Sequence, residues 1–576
     1  MPKKRSLAVI LAGIVGLSLY QYRRHLIGQA LRLRPPRYGV QVQRGIKIPM
    51  PDGALLVADL YTPRSPRLFP TLLMRTPYGR GLTVGPSGMM MSFLAQRFAE
   101  RGYNLLVQDV RGRFDSGSEF VPFVHEAADG RATIAWIERQ GWFNGLLGMW
   151  GASYIGYTQW AAAAGASPSL KAMVPAVTGA NLPVSFLNQG AFGLDTSLRW
   201  MYQLDTMQRR TWLRSLLGLG RMAPLIMERR LRAAANHLPL VDVDRLTTGN
   251  QVSFYQEWLQ HPSLDDPYWQ AADFSAQVGG VTAAVHFISG WYDLFLRDLL
   301  ADYASLRRSG QQPYLTIGPW FHMHTDLASE NLRQGIIWFD AALKGDRRAL
   351  RQAPVRVYVM GSDQWREFPD WPPPAQAQVW YLQAGGSLEQ QPPAGPAEPS
   401  RYTYDPHDPT PALGGPLLSL SAGPTDNRPL EARPDVLTFT TAPLQADLEV
   451  IGPVRAILYV RSDREYTDFF ARLCDVSPNG ESRNICDGFL RLFPGRAEAQ
   501  ADGSLRIELD LWATAHCFRA GHCLRLQVSS GAHPRFARNP GNGLPLSEVV
   551  EMLPAQQTFY HDVDHPSMLV LPVMQD

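Results

Sequence analysis

Gly151-Ala152-Ser153-Tyr154-Ile155-Gly156 decides the reading of this 576-residue chain. The hexapeptide lies between an apolar run and a helical pattern of small residues. Small neighbours around a serine suit a sharp strand-to-helix turn, where larger side chains would collide. Such a turn lifts the hydroxyl to where a base can reach it. The second glycine of a G-x-S-x-G elbow is displaced here: Ile155 takes its place and Gly156 follows. Taken alone, the hexapeptide fits an ordinary Gly/Ser turn equally well, so its surroundings must decide.

A serine nucleophile needs a base, and the base needs an acid that fixes its tautomer. On a doubly wound α/β-hydrolase sheet the chain order is Ser, then Asp or Glu, then His. Val285-His286-Phe287-Ile288-Ser289-Gly290-Trp291-Tyr292-Asp293 reads as a buried strand followed by a loop carrying an acid. Tyr314-Leu315-Thr316-Ile317-Gly318-Pro319-Trp320-Phe321-His322 reads as a second strand, ending in Gly-Pro and followed by a histidine. Both polar residues stand just past the carboxyl end of an expected parallel strand, where open α/β sheets place their sites. Ser153, Asp293 and His322 thus have the order and placement of a catalytic triad. Each has rivals. His324 competes as the base and makes an H-x-H pair with His322, but no third ligand stands at recognisable spacing, so no metal is expected. Asp298, Asp302 and Asp326 compete as the acid. Asp298 and Asp302, four residues apart on a helical pattern, read as a solvated face.

With these pieces in hand the chain resembles the cocaine-esterase and X-Pro dipeptidyl-peptidase family of α/β-hydrolases, the CocE/NonD group. The resemblance rests on Arg75-Thr76-Pro77-Tyr78, Gln108-Asp109-Val110-Arg111-Gly112, the hexapeptide around Ser153, Gly290-Trp291-Tyr292-Asp293 and Gly318-Pro319-Trp320-Phe321-His322. It runs from about Val40 to the C-terminus. It implies Ser153 as nucleophile, His322 as general base and acid, and Asp293 as the residue that orients His322. It further implies an oxyanion hole made by the Tyr78 hydroxyl and the Tyr154 backbone N–H. Two preorganised donors of that kind stabilise a tetrahedral intermediate by about 3–4 kcal/mol each. Without the resemblance, a tyrosine after a proline at a strand end reads as packing or turn chemistry. Asp109 and Arg111 read as structural, holding the loop near the site.

Composition agrees. Hydrophobic residues make up 45% and charged residues 19% of the chain, as in folded globular proteins. A net charge of +3 and the lack of a basic stripe with interleaved aromatics exclude a nucleic-acid partner. No G-x-x-x-x-G-K appears, so no phosphate-cradling loop is expected. At the N-terminus, Lys3, Lys4 and Arg5 precede an apolar run from Leu7 to Tyr20, and Arg23 and Arg24 follow it. Residues 7–20 therefore read as a membrane anchor or export segment. The run is shorter than the ~20 residues of a standard span. Basic residues on both sides leave its orientation open, and the alternative is a leader lying on the membrane surface.

The expected fold is α/β: a doubly wound α/β-hydrolase sheet with an inserted helical cap, plus a C-terminal β-sandwich of jelly-roll type. Residues 1–37 form the N-terminal segment and 38–182 the first part of the hydrolase domain. The cap occupies 183–272, the second hydrolase part 273–352 and the β-domain 353–576. Val40 to Lys47 and Leu55 to Tyr61 read as strands joined across Pro51-Asp52-Gly53. Thr71 to Met74 and Leu105 to Val107 read as buried parallel strands, with helical patterns at Phe93 to Arg101 and Ala128 to Gln140. In the cap, Trp200, Met201, Leu204, Met207, Trp212 and Leu213 mix with Arg209, Arg210, Arg214, Arg221, Arg229 and Arg230 in amphipathic helices. Those arginines read as a solvated face in preference to an acidic-substrate site. In the last region Leu505, Ile507, Leu509 and Leu511 alternate with polar residues, as half-buried strands do. That domain is expected to pack on the catalytic part and wall one side of the pocket.

All four cysteines lie there: Cys474, Cys486, Cys517 and Cys523. Their spacing is not that of a zinc site. Cys474 and Cys486 flank a turn at Pro478-Asn479-Gly480, which suits a cross-strand disulfide in an exported domain; buried free thiols are the preferred alternative. The expected activity is hydrolysis of a small-molecule carboxylic ester or amide through an acyl-enzyme, with no cofactor. Some relatives that take α-amino-acid esters carry carboxylates beside the catalytic acid. Here Leu294, Phe295, Leu296 and Arg297 follow Asp293, which ranks X-Pro dipeptidyl cleavage second to ester hydrolysis. A membrane-tethered, non-catalytic binding protein on a hydrolase scaffold is the alternative from another class. Nothing in the sequence sets the oligomeric state.

Overall fold

Ten strands form the central sheet of the computed structural model, which describes residues 22–81, 85–165, 167–209 and 223–575. They are β1 (Val40–Pro49), β2 (Leu55–Pro63), β3 (Phe69–Thr76), β4 (Asn104–Asp109), β5 (Phe143–Ala152), β6 (Leu170–Ala176), β7 (Ala284–Tyr292), β8 (Tyr314–Phe321), β9 (Val355–Val359) and β10 (Gln364–Phe368). Their order in space is β1-β2-β4-β3-β5-β6-β7-β8-β9-β10. From β4 to β9 every pairing is parallel, and antiparallel pairs close both edges. β3 and β4 are buried along their whole length, because helices cover both faces of a parallel sheet. β1, at the edge, alternates between exposed and covered positions.

One face carries the helices Pro86–Ala99 and Thr325–Lys344. Phe98 meets Trp150 of β5 and Phe339 edge-on there, at 5.1 and 6.2 Å between ring centres. The other face carries Glu126–Glu138, Tyr154–Ala163 and Leu296–Arg308, with Trp160 stacked on Phe287 of β7. Between β6 and β7 the chain leaves the sheet to form helices Leu194–Arg209, Ala223–Ala235, Val243–Thr248 and Ser253–Gln260. These make a cap over the carboxyl ends of the strands. Arg209, Arg229 and Arg230 are exposed on it; Arg210, Trp212, Leu213, Arg214 and Arg221 lie outside the described residues.

Beyond Phe368 two antiparallel sheets pack face to face. The larger includes Gln376–Leu382, Leu448–Ser462, Leu505–Phe518 and Met568–Val573; the smaller comprises Leu437–Thr440, Thr467–Val476, Ser482–Leu492 and Cys523–Ser529. The expected boundary at Ala353 is corrected by this topology. β9 and β10 belong to the central sheet, because Val355–Val357 pair in parallel with Leu315–Ile317 of β8. The backbone of Met360 then bonds to Ala515 and Cys517, joining the two sheets at their seam. All four cysteines are free, with Cys474 and Cys517 buried. Cys486 stands opposite Leu473 while Cys474 faces Asn484 across a register shift, so the two thiols are not paired. The apolar run 7–20 lies outside the described residues, and no helix among those described is long and apolar enough to cross a membrane.

Candidate active site

β5 ends at Ala152, and Ser153 turns the chain directly into the helix Tyr154–Ala163. Ser153 sits at φ 58°, ψ −130°, a region that costs a non-glycine residue about 1–3 kcal/mol. The turn is held by Ser153 N–H donating to Ala176 of β6 at 2.9 Å and by Gly156 and Tyr157 N–H donating to Ser153 C=O. The displaced glycine has a packing reason. A Cβ on Gly151 would stand 2.2 Å from Ile155 Cγ2, and one on Gly156 would stand 2.4 Å from Thr178 Cγ2. Gly151 therefore makes room for the isoleucine at the usual glycine position, and Gly156 takes over the close approach to the neighbouring loop.

Three other strands end at the same edge of the parallel sheet as β5. Asp293 follows β7 and His322 follows β8. The Asp293 carboxylate is fully buried: Oδ2 lies 2.6 Å from His322 Nδ1, and Oδ1 accepts from Phe295 N–H at 2.9 Å. Nδ1–H thus donates to Asp293, leaving Nε2 as the basic nitrogen. The Phe295 ring packs edge-on to His322, with 5.3 Å between centres. Tyr78 follows β3, and its hydroxyl accepts from Trp200 Nε1–H at 3.3 Å. Burial raises the Tyr78 phenol above its ordinary range, against the opposing pull of Trp200, Ser153 and Arg113. The hydrogen bonds of the site run from Trp200 to Tyr78 and from His322 to Asp293. A Ser153–His322 bond is not among them; in unliganded sites that contact is often long and tightens with substrate.

Tyr154 is the first residue of its helix, so its N–H has no intrahelical partner. Its side chain is held separately. The phenol donates to Glu126 Oε1 at 2.9 Å and accepts from Phe123 N–H at 3.0 Å. Arg75 closes this network with a 2.9 Å ion pair to Glu126. Burial pushes the Glu126 carboxyl up in spite of Arg75.

The structure thus sets Tyr78, Ser153, Asp293 and His322 past the carboxyl ends of parallel strands of one sheet, pairs His322 with Asp293, and links Tyr78 and Tyr154 through Trp200. The rivals stand apart. His324 accepts from Asp326 N–H and caps the helix Thr325–Lys344. The solvated face expected at Asp298 and Asp302 is corrected. Asp302 is buried and accepts from Ala180 N–H at 2.7 Å, and Asp298 packs with its Cβ against Gly179. Burial drives Asp302 well above the carboxylate range and Asp298 up to about 7. The loop after β6 covers that side of the helix, which periodicity alone does not reveal. Arg111 and Asp109 hold loops: Arg111 pairs with Asp129 and Asp52, and Asp109 with Arg80.

Aromatic residues of the cap pack around Tyr154. Trp200 of the cap stacks on Tyr154 at 5.7 Å and touches Phe120, Phe123, Phe186, Phe254 and Trp258. Leu294, beside the acid, shares a small cavity with Ser185 and Thr196 of the cap and Trp512, Arg535 and Phe536 of the β-domain. Sequence reasoning passed over Glu126 and Arg113, and it took Trp200 only as a cap hydrophobe. Arg113 immediately follows the quoted Gln108–Gly112 motif, which was its one available signal.

Residues 52–324 match the family model described as X-Pro dipeptidyl-peptidase (S15 family), and residues 348–570 match that of the X-Pro dipeptidyl-peptidase C-terminal non-catalytic domain. The chain is 32% identical over 574 residues to cocaine esterase of Rhodococcus sp. (strain MB1 Bresler), covering 93% of this chain and 99% of that protein. Among solved structures it resembles an aminopeptidase from the marine sediment archaeon Thaumarchaeota archaeon, with TM-score 0.77, 21% identity and 93% and 96% of the two chains covered. It also resembles an alpha-amino acid ester hydrolase, with TM-score 0.76, 23% identity and 93% and 97% covered. At these identities the two structures share its fold.

Proposed function

The chain belongs to the S15 X-Pro dipeptidyl-peptidase and cocaine-esterase family and is a serine hydrolase acting on esters or X-Pro peptides; from that premise we propose that carboxylic esters are its substrates and that Ser153, His322 and Asp293 carry the reaction. The observation that supports the residue assignment is that Tyr78, Ser153, Asp293 and His322 follow the parallel strands β3, β5, β7 and β8 at their carboxyl ends, with His322 bonded to Asp293. Ser153 Oγ attacks the carbonyl carbon while His322 Nε2 takes its proton. The resulting oxyanion lies between the Tyr78 hydroxyl and the Tyr154 N–H. Collapse breaks the bond to the leaving oxygen, which receives the proton from His322. Water then repeats the sequence on the acyl-serine, and Asp293 stabilises the imidazolium in both halves.

Esters are favoured over X-Pro peptides by the wall next to the acid. Leu294, Phe295 and Leu296 are buried apolar residues, and none can pair with a substrate ammonium. Turnover of short-chain p-nitrophenyl esters and Xaa-Pro p-nitroanilides, with Ser153→Ala as control, tests the proposal. Ester turnover lost in Ser153→Ala supports it. Preferential Xaa-Pro cleavage moves the substrate to the peptide side of the family, and turnover retained in Ser153→Ala refutes the assignment of the nucleophile. Membrane attachment or export through residues 7–20 is a separate proposal, motivated by their apolar run between basic residues. Fractionation of the full chain beside one lacking residues 1–21 tests it: equal solubility of the two refutes it.

A further inference from the structure

The cap helix Leu194–Arg209 touches the Tyr78 segment at two points one helical turn apart. Trp200 Nε1–H donates to the Tyr78 hydroxyl oxygen at 3.3 Å. Four residues on, Leu204 C=O accepts at 3.0 Å from Arg113 Nη2, while Arg113 Nε donates at 2.9 Å to the C=O of Pro77, the residue before Tyr78. Arg113 is 5% exposed and no carboxylate among the described residues pairs with it. Its guanidinium lies over the rings of Phe114 and Phe120. Burial lowers its pKa to about 10, which leaves it charged at neutral pH. Arg113 therefore ties the backbone under Tyr78 to the cap helix, and Trp200 ties the hydroxyl to the same helix.

An indole N–H can only donate, so at that contact the Tyr78 oxygen must accept. A phenol O–H lies in the plane of its ring and has two favoured directions. Turning it toward Trp200 would set hydrogen against hydrogen. The proton is thereby steered to the other in-plane direction, away from Trp200. The Trp200 ring also stacks on Tyr154, so one side chain packs against both residues of the oxyanion pair.

Resting on the assignment of Tyr78 as oxyanion donor, we infer that Trp200 is a positioning residue for that donor, with Arg113 holding the segment that carries it, so that closure of the cap on the sheet completes the oxyanion hole. Trp200 acts through Tyr78 and does not itself touch the reacting atoms.

A double-mutant cycle on ester turnover tests this. Trp200→Phe keeps the aromatic stack and removes the N–H. It is expected to lower kcat roughly three- to ten-fold, the effect of one net hydrogen bond, with KM nearly unchanged. In a Tyr78→Phe background there is no hydroxyl to steer, and the same substitution should change kcat less than about two-fold, as sharing one interaction requires. Equal losses in both backgrounds would make Trp200 a pocket wall only and overturn the inference. So would an unchanged kcat in Trp200→Phe. If Trp200→Phe does not fold, the cycle is run with Arg113→Gln, which loosens the same clamp, under the same two criteria. Ser153→Ala separates the failures. If it retains turnover, the proposed function itself is wrong. If it is inactive while Tyr78→Phe keeps full kcat, the serine assignment stands and the steering inference falls.

Discussion

Gly156→Ala puts the packing of the elbow to a quantitative test. The new Cβ would stand 2.4 Å from Thr178 Cγ2 and 2.8 Å from Thr178 Cβ, whereas carbon atoms rest about 3.5–4.0 Å apart. Rotating the Thr178 side chain can move Cγ2 away, since its hydroxyl has no hydrogen-bond partner among the described residues. Cβ cannot be rotated away. At least ~0.7 Å of overlap with it must therefore be relieved by backbone movement. The two segments available to move are the elbow helix and the loop after β6. Ser153 N–H is bonded to Ala176 at the base of that loop, so either movement reaches the nucleophile. Overpacking of this kind costs about 1–3 kcal/mol of stability, and a displacement near 1 Å at the reacting group costs on the order of 10²-fold in rate. Denaturant unfolding and ester kcat should both show the loss. Thr178→Gly in the same chain removes Cβ and Cγ2 together and should restore much of both. Wild-type stability and kcat in Gly156→Ala would refute the reasoning outright. Failure of Thr178→Gly to restore kcat would show that the obstruction is elsewhere.

The remaining expectations are shorter. Ser153→Gly and Ser153→Ala should both be inactive, but Ser153→Gly should unfold at higher denaturant, by about 1 kcal/mol, because glycine accepts the φ of 58° without strain. Tyr78→Phe should lower kcat by about 10²–10³ with KM held within about two-fold, the signature of a donor used mainly in the transition state; a loss confined to KM would contradict its role. Asp302→Asn should stabilise the protein more at pH 8 than at pH 5. Burial raises the Asp302 carboxyl in the fold, so its neutral form is the one the fold accommodates. Its contribution is complete below the unfolded pKa near 4 and is lost as pH rises toward the folded value. Unfolding midpoints of both proteins at the two pH values measure this, and an equal effect at each would rule it out.

How much of this was legible in the sequence depended on distance along the chain. Ser153, Asp293 and His322 each follow a recognisable buried strand by one residue, so local pattern located all three strand ends. Tyr78 rested on the motif Arg75–Tyr78 and the resemblance it supports. The domain division at Ala353 misplaced β9, whose alternation of buried and half-buried residues equally fits a sandwich strand. Only its parallel partner β8 assigns it to the central sheet. Asp298 and Asp302 were read as a solvated face because helical spacing gives a face and not what covers it. Trp200 and Tyr78 are 122 residues apart, and no spacing rule relates a cap helix to a strand end at that separation.

Tyr154 divides its labour between two kinds of atom. Its main-chain N–H is the first of its helix and has no intrahelical partner, while its phenol is locked between Glu126, itself paired with Arg75, and the Phe123 N–H. No codon change can delete that N–H while leaving a residue other than proline in place. Every substitution at position 154 instead reports on the lock. Selection maintaining the amide's direction can act only on the phenol and the carboxylate it rests on. Sequence variation in this stretch would therefore record the upkeep of an atom that all the alternatives but one would also possess.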